Sequence, residues 1–282
     1  MSCDIEDNSR LSLGQKEAKW DLPEGVPPLT SLYLYISGSC NLACRHCWIT
    51  PAFQEEGNGG RHVKVEYVEK AIREARPLGL HSVKLTGGEP MLHPRFRDIV
   101  RMIDEEGFSI QVETNGTLLD QKIAEFLKQA QNLSFVSVSV DGATAESHEE
   151  LRGVRGSFKG ALAGIRNLVK QGFRPQLICT LHKGNSSEVA KVIEMAEGLG
   201  CGSVKFNHVQ EVGRGERFAE ERGLGVLELV NLYRFVEDYL MPKSKIHIHF
   251  DIPLAFYPIR KLINDPLSRC MVRNILGILD GG

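Results

Sequence analysis

Residues 31–48, SLYLYISGSCNLACRHCW, decide how this chain of 282 residues is interpreted. The first seven are rich in β-forming side chains and predict a buried strand. Apolar residues then recur at helical spacing from about 65 to 76, and a second β-rich run, HSVKLTG, follows at 81–87. A strand, a helix and another strand in this order predict a right-handed βαβ unit with parallel strands.

The same alternation continues along the chain and gives about six strands. The later predicted strands are SIQVETNG, SFVSVSVDG, PQLICTLHKGN and CGSVKFNHV. Asp120, Ser157 and Asn185 are predicted to cap the helices between them, and another helical stretch lies near 225–240. Periodicity does not separate an open doubly wound sheet from a closed or partial barrel. In each of these folds the site lies where the strands end, at their carboxyl termini.

Composition and charge narrow the function classes. The chain is 42% hydrophobic and 25% charged, with a formal net charge of -2, so nothing indicates a nucleic-acid partner or an anionic membrane. The first ten residues, MSCDIEDNSR, lack the apolar run of a secretory signal. No apolar stretch approaches the roughly 20 residues of a membrane span. These features favour a cytoplasmic protein, with residues 1–29 as a polar arm and EEGNGG at 55–60 as a loop.

Three of the seven cysteines fall within eight residues, as Cys40, Cys44 and Cys47 in the pattern CxxxCxxC. In a reducing compartment, thiols at this density indicate metal ligands. A structural zinc site closes with four ligands, and an ordinary [4Fe–4S] cluster takes four cysteines. Three thiolates on a four-iron cluster leave one iron open for a cofactor or substrate. The alternative is a zinc site in which His46 is the fourth ligand.

The pattern resembles the cluster motif CxxxCxΦC of the radical S-adenosylmethionine (SAM) superfamily, with His46 at the Φ position. The resemblance implies a partial (β/α)6 barrel, similar to a TIM barrel, with parallel strands. It implies that Cys40, Cys44 and Cys47 hold a [4Fe–4S] cluster whose open iron binds SAM. One-electron reduction then cleaves SAM to methionine and a 5′-deoxyadenosyl radical, which takes a hydrogen atom from the substrate. An electron donor such as flavodoxin or ferredoxin is implied as a partner.

Polar motifs at the ends of the predicted strands fit this resemblance. TGGEP at 86–90 resembles the family motif that meets the methionyl amino group, ETNGT at 113–117 and SVSVDG at 137–142 resemble its polar strand ends, and LRG at 151–153 resembles the arginine site for the SAM carboxylate. The predicted cofactor-binding residues are His46, Gly87, Gly88, Glu89, Asn115, Ser139, Asp141 and Arg152. Plain glycine turns or a solvated arginine are the alternative interpretations of these motifs.

Other chemistry-bearing residues are given structural interpretations. Cys179 and Cys201 lie in or beside apolar strands and are predicted to be core residues. Cys3 lies in the arm. His247 and His249 share a strand face, but a pair without further ligands is more often structural. NHVQEVGRG resembles a family segment that approaches the adenine, and nothing independent supports Asp251 as a base.

SVSVDG followed by ESHEELRGVRGSF is similar to the SPASM-type subgroup of the family. The resemblance predicts a core barrel at 30–215, then a C-terminal helix and the start of a SPASM or twitch-like extension at 216–282. Cys270 stands where the first cysteine of that extension is expected. ILGILDGG resembles a strand entering a hairpin turn, and no return strand follows. The interpretations are that the chain is a truncated form of a longer protein, that the extension has been lost, or that Cys270 is an isolated thiol. We expect that this chain's own residues do not complete auxiliary clusters.

The substrate has three interpretations. The subgroup resemblance favours modification of a peptide or protein. The second interpretation is tailoring of a small molecule, for example a tetrapyrrole side chain. The third belongs to another class: a non-catalytic iron–sulfur or zinc module. The sequence does not identify the atom that loses its hydrogen, the fate of SAM or the oligomeric state.

Overall fold

The computed structural model of this chain describes residues 22–23, 25–53, 61–251 and 275–278. Several interpretations concern segments outside these residues. They are those made for Cys3, the loop at 55–60, Cys270, the turn after ILGI and most of the arm at 1–29.

The described strands are β1 (Ser31–Ser37), β2 (Ser39–Cys40), β3 (Ala52–Phe53), β4 (Ser82–Gly87), β5 (Ser109–Thr114), β6 (Leu133–Ser139), β7 (Gln176–Leu181), β8 (Ser203–His208), β9 (His247–Phe250) and β10 (Ile275–Ile278). Eight of them form one sheet in the order β10-β1-β4-β5-β6-β7-β8-β9, and β2 pairs with β3 separately. Every neighbouring pair in the large sheet is parallel.

The described helices are α1 (Val65–Ala75), α2 (Phe96–Glu105), α3 (Gln121–Gln129), α4 (Ala145–Arg152), α5 (Ser157–Lys170), α6 (Val189–Leu199), α7 (Arg214–Arg222) and α8 (Val226–Phe235). A π-helical turn, Val236–Leu240, continues α8. Short 3₁₀ turns occur at Arg76–Leu78, Pro90–Leu92, Ser186–Glu188 and Met241–Lys243.

The α/β prediction with parallel strands is confirmed. Each of the six strands β1 and β4–β8 is followed by at least one helix, which gives six βα units. The two ends of the described sheet, β9 and β10, do not pair with each other. The sheet is therefore an open, partial barrel.

Alternating burial along the strands separates the two faces of the sheet. Val83 and Leu85 in β4, for example, are fully buried against the helices. Ile99 and Ile103 of α2 are also fully buried in this layer, because their spacing places both on one face of the helix. Full burial of each such side chain contributes roughly 1.5–3 kcal/mol to folding. The opposite strand face carries polar residues and faces the barrel interior.

The helix caps were predicted with mixed success. Asp120 caps α3 as expected and accepts a hydrogen bond from the Ile123 N–H at 2.7 Å. The prediction for Ser157 was wrong, because Gly156 is the N-cap of α5 and the Ser157 hydroxyl donates to the Val154 carbonyl.

Asn185 is the N-cap residue of the 3₁₀ turn Ser186–Glu188 that leads into α6, but its side chain makes no capping hydrogen bond. Its side-chain oxygen accepts from the His182 N–H, and its amide group donates to the Asp141 and Thr180 carbonyls. Asn185 therefore joins two strand ends. Helices α4 and α7 were not predicted.

The segment predicted as an extension at 216–282 contributes two strands to the main sheet. β9 pairs with β8, and β10 pairs with β1, in the predicted ILGI strand. The boundary at residue 215 stays a prediction. In the described part of the chain, no helix has the length and hydrophobicity needed to cross a bilayer.

Candidate functional site

A cavity of about 340 Å³ opens where the sheet strands end. Nine of the eleven predicted site residues line it: Cys40, Cys44, His46, Cys47, Gly87, Gly88, Asn115, Ser139 and Arg152. They come from the cysteine loop and from the carboxyl ends of β4, β5 and β6, with Arg152 from the end of α4. The parallel topology brings these distant sequence motifs together.

The three cysteines of the loop are free thiols. Cys40 is 5% exposed and Cys44 is 7% exposed, while Cys47 is half-buried. Burial raises the pKa of Cys40 to about 12. Burial also raises the pKa of Cys44, although Arg152 opposes the effect. Iron binding at these sulfurs would therefore release protons. Within the described residues, no three His, Cys, Asp or Glu side chains are grouped as a site for a metal ion.

Gly87 and Gly88 allow the end of β4 to pass against the cysteine loop. A Cβ atom at Gly88 would lie 2.2 Å from the Ser39 carbonyl oxygen, and one at Gly87 would lie 2.6 Å from that of Ser37. The Gly88 N–H donates to the Ser37 carbonyl at 2.7 Å, and the Glu89 N–H donates to the Ser39 carbonyl at 2.8 Å. Only glycine fits at this approach.

The Glu89 side chain does not line the cavity, and the family resemblance assigns the contact with the methionyl amino group mainly to backbone oxygens. It is fully buried, and its carboxylate accepts from the Asn115 N–H, the Thr114 hydroxyl and the Met91 N–H. Burial outweighs these bonds and raises the pKa of Glu89 to about 7. The side chain therefore positions the end of β5. Only the backbone atoms of Glu89 are then available to contact the cofactor.

Asn115 connects the end of β5 to the cysteine loop. Its side-chain amide donates to Asn41 Oδ1 at 2.8 Å, and its Oδ1 accepts from the Thr117 hydroxyl at 2.7 Å. The Asn41 amide in turn donates to the Thr117 hydroxyl at 2.8 Å. This closed network holds the loop against the strand.

Asp141 is likewise fully buried behind the cavity wall, and its role as a cofactor contact or in shaping the turn with Gly142 stays a prediction. Its carboxylate accepts from Arg152 Nε and from the Thr180 N–H. Burial alone would raise the pKa of Asp141, but Arg152 and nearby groups lower it to about 2. The carboxylate is therefore ionised and orients the guanidinium of Arg152, which does reach the cavity.

The wall beside His46 carries polar atoms that have no hydrogen-bond partner within the described part of the chain. They are His46 Nδ1, Asn207 Oδ1 and Arg214 Nε and Nη2. Burial lowers the pKa of His46 to about 4, so its ring is neutral at pH 7. Leaving such groups buried without partners costs roughly 1–3 kcal/mol each.

The donor set fits the cofactors implied by the cysteine motif. Three unpaired thiols can ligate iron, the Gly87–Gly88 backbone is open to a ligand, and Arg152 offers N–H donors suited to a carboxylate. The unpartnered atoms at His46, Asn207 and Arg214 provide further donors and an acceptor for the rest of a polar ligand.

Several cavity residues were not predicted as site residues, although Asp251 was considered as a base. They are Trp48, Glu113, Asn207, Arg214 and Asp251. Four of them lie at or just after a strand end or in the cysteine loop, so their position alone was a signal. Arg214 was not identified because NHVQEVGRG was interpreted only as a segment that approaches the adenine, whereas Arg214 begins α7.

Charged pairs occupy the inner face of the sheet below the cavity. Lys84 Nζ lies 2.9 Å from Glu113 Oε1, and Lys205 Nζ lies 3.8 Å from Asp251 Oδ2. Each acid that lines the cavity thus has a basic neighbour on the adjacent strand.

Comparison with protein families agrees with this site. The family model described as the radical SAM superfamily matches residues 34–196. The chain belongs to the radical SAM superfamily. The cofactors of this family are a [4Fe–4S] cluster and SAM. The alternative of a non-catalytic module is therefore not supported.

Curated relatives with different activities match the chain. An AdoMet-dependent heme synthase from Methanosarcina barkeri is 34% identical over 190 residues, covering 66% of this chain and 52% of that protein. A probable GTP 3′,8-cyclase from Metallosphaera sedula is 34% identical, covering 71% and 62%. The antilisterial bacteriocin subtilosin biosynthesis protein AlbA from Bacillus subtilis is 28% identical, covering 62% and 38%. The chain spans about half the length of these relatives.

Solved structures share the fold. Streptococcus suis SuiB, in a crystal structure bound to its precursor peptide SuiA, matches with a TM-score of 0.72 and 17% identity. The match covers 90% of this chain and 58% of SuiB. At this identity the likeness concerns the fold alone.

Two cysteines outside the cavity lie in the core. Cys179 and Cys201 are each 1% exposed within the apolar core, which confirms that prediction. His247 and His249 lie on β9 and share one face of the strand.

Proposed function

We propose that this chain is the catalytic core of a SPASM-type radical SAM enzyme that modifies a peptide or protein. The observation that carries the proposal is the convergence of three free thiols, the Gly87–Gly88 backbone, Ser139 and Arg152 on one cavity. The motif order from SVSVDG to RGVRGSF supports the subgroup.

Each predicted contact has a role in this proposal. Cys40, Cys44 and Cys47 are the cluster ligands. The backbone of Gly87, Gly88 and Glu89 seats the methionyl amino group, and the backbone of His46 supports the adenine.

Ser139 and Arg152 hold the ribose and the carboxylate of SAM. When bound and reduced by a donor such as flavodoxin or ferredoxin, the cofactors supply a 5′-deoxyadenosyl radical that abstracts hydrogen from the substrate. Asn115, Asp141 and the Glu89 carboxylate act one step further away, because they hold the loop, the guanidinium and the strand end in place.

Charge balance in the cavity supports a peptide substrate. In the described structure, Glu113 has Lys84, Asp251 has Lys205 and Arg152 has Asp141 as partner, which leaves Arg214 as the cavity-lining cation without an ion pair. A polyanion such as a nucleoside triphosphate or a tetracarboxylate tetrapyrrole requires a surplus of basic side chains. A peptide substrate with little net charge does not require such a surplus of basic side chains. The relative AlbA, named for bacteriocin biosynthesis, is consistent with this choice.

A second candidate is tailoring of a tetrapyrrole side chain. The observation that favours it is the 34% identity to an AdoMet-dependent heme synthase over 190 residues. The same cofactor site, with different residues lining the substrate side of the cavity, would support either reaction.

The test uses the reconstituted protein with SAM, dithionite and deuterated small peptides encoded beside it in the genome. Mass spectrometry of the 5′-deoxyadenosine measures deuterium transfer, with the Cys44→Ala variant as the negative control. Transfer from one peptide supports the proposal.

Optical titration with iron-coproporphyrin III tests the alternative on the same samples. A saturable spectral shift with the tetrapyrrole, together with no deuterium transfer from any peptide, would overturn the proposal of a peptide substrate.

A further inference from the structure

The buried guanidinium of Arg152 contacts two residues that the proposed mechanism does not otherwise connect. Its Nε donates to a carboxylate oxygen of Asp141, and its Nη1 lies 3.7 Å from the sulfur of Cys44. Arg152 is 8% exposed and Asp141 is 0% exposed, so water screens neither contact strongly.

Backbone contacts attach the last turn of α4 to the cysteine loop. The Ala43 N–H donates to the Arg152 carbonyl at 3.2 Å, and the Arg45 N–H donates to the Leu151 carbonyl at 2.9 Å. A Cβ atom at Gly153 would lie 2.7 Å from the Ala43 carbonyl oxygen. The position of the guanidinium relative to Cys44 is therefore fixed by main-chain hydrogen bonds on both sides of that cysteine.

Asp141 is held as firmly as Arg152. Its second carboxylate oxygen accepts from the Thr180 N–H at 2.8 Å, its carbonyl accepts from the Asn185 amide at 2.8 Å, and its N–H donates to His148 Nδ1 at 3.1 Å. Asp141 thus fixes the orientation of the Arg152 guanidinium group. The remaining N–H groups of the guanidinium are left for the cavity that Arg152 lines.

We propose that Arg152, oriented by Asp141, donates an N–H···S hydrogen bond to the Cys44 thiolate and thereby raises the reduction potential of the [4Fe–4S] cluster. This inference rests on the proposed ligation by Cys44. Reduction by one electron adds negative charge to the cluster and its thiolates. A charge-assisted donor on one thiolate stabilises the reduced form more than the oxidised form, and hydrogen bonds to the sulfurs are a known control of cluster potentials.

The role is separate from the binding of the SAM carboxylate. It predicts an effect of Arg152 when no SAM is present, whereas a residue that only binds SAM would leave the potential of the SAM-free cluster unchanged.

The experiment is an EPR-monitored redox measurement on the reconstituted full chain without SAM, with dithionite as the reductant. The Arg152→Gln variant is expected to show a midpoint potential more negative than that of the wild type. Arg45→Gln is the matched control, because Arg45 follows Cys44 directly but is exposed and paired with Glu150 and Glu221. Its potential is expected to equal that of the wild type.

Arg152→Lys keeps the charge but cannot contact Asp141 and Cys44 with one planar fork, and a smaller negative shift is expected. If Arg152→Gln does not fold, the midpoint potential of Arg152→Lys decides the test. An unchanged potential in Arg152→Gln, an unchanged potential in Arg152→Lys where only that variant folds, or an equal shift in Arg45→Gln would overturn the inference. A cluster that assembles normally in Cys44→Ala would instead overturn the ligation on which it rests.

Discussion

Asn115 donates a hydrogen bond from its side-chain amide to Asn41 Oδ1 at 2.8 Å. This contact joins the end of β5 to the loop that carries the three cysteines, across 74 residues of sequence. The carboxylate of Glu89 holds the backbone of Asn115 from the other side at 2.8 Å. The loop is therefore supported by the strand ends as well as by its own short sequence.

Replacing Asn115 with Ala should loosen the cysteine loop. The substitution leaves Asn41 and Thr117 without their shared partner, so iron should be released to a chelator several-fold faster than from the wild type. Asn167→Ala is the control, since the Asn167 amide donates to the Leu119 carbonyl at 2.8 Å and not to a residue of the cysteine loop. Equal release rates in the two variants would show that the Asn115 network does not support the loop.

Replacing Gly88 with Ala should disrupt cluster assembly. The new Cβ would lie 2.2 Å from the Ser39 carbonyl, so the cysteine loop must move. Iron per chain after reconstitution should fall well below the wild-type value. Gly198→Ala is the control, because no atom lies within 4 Å of its added Cβ and the helix gains about 0.5–1 kcal/mol. Full iron loading in Gly88→Ala would contradict the tight approach.

Cys44→Ala should abolish both the cluster and SAM cleavage, whereas Cys179→Ala should retain both. Both thiols are buried, but Cys44 lines the cavity and Cys179 packs in the apolar core. The visible absorbance of the cluster and the formation of 5′-deoxyadenosine are the measurements. A Cys44 variant that still cleaves SAM would overturn the ligand assignment.

His148 should make the fold less stable in mild acid. Burial lowers the pKa of His148 to about 4 from 6.5, so the unfolded chain takes up a proton below pH 6.5 and the folded chain does not. The free energy of unfolding is therefore unaffected by this histidine above pH 6.5, and it decreases as the pH falls from 6.5 towards 4. Between pH 7.5 and pH 5 the free energy of unfolding decreases by about 2 kcal/mol.

Urea unfolding of the wild type and of His148→Asn at the two pH values measures this contribution. The variant keeps a side-chain oxygen near the Asp141 N–H but cannot be protonated in this range. Its stability should fall by less than that of the wild type. Equal losses would show that His148 does not carry the effect.

The sequence predicted the strands well because each is a short run rich in β-forming side chains. The six core strands β1 and β4–β8 were located within a few residues. The predicted site motifs met in one cavity because the carboxyl ends of parallel strands meet at one edge. The roles assigned to them stay predictions.

The sequence did not predict how the buried acids are used. SVSVDG placed Asp141 near the strand end, but its direction depends on Arg152, Thr180 and Asn185, which lie 11 to 44 residues away. Asn185 was assigned to a helix cap because the local pattern fits one. The tertiary bonds to β6 and β7 decide its position instead, and local pattern contains no information on them.

The central claim is that three thiolates of this chain hold a [4Fe–4S] cluster whose open iron takes SAM. The most direct test is EPR of the reconstituted, dithionite-reduced protein with and without SAM, with 5′-deoxyadenosine measured in the same samples. We expect a [4Fe–4S]⁺ signal that shifts when SAM is added, together with 5′-deoxyadenosine. Failure to assemble a cluster, or a cluster signal that is identical with and without SAM, would contradict it.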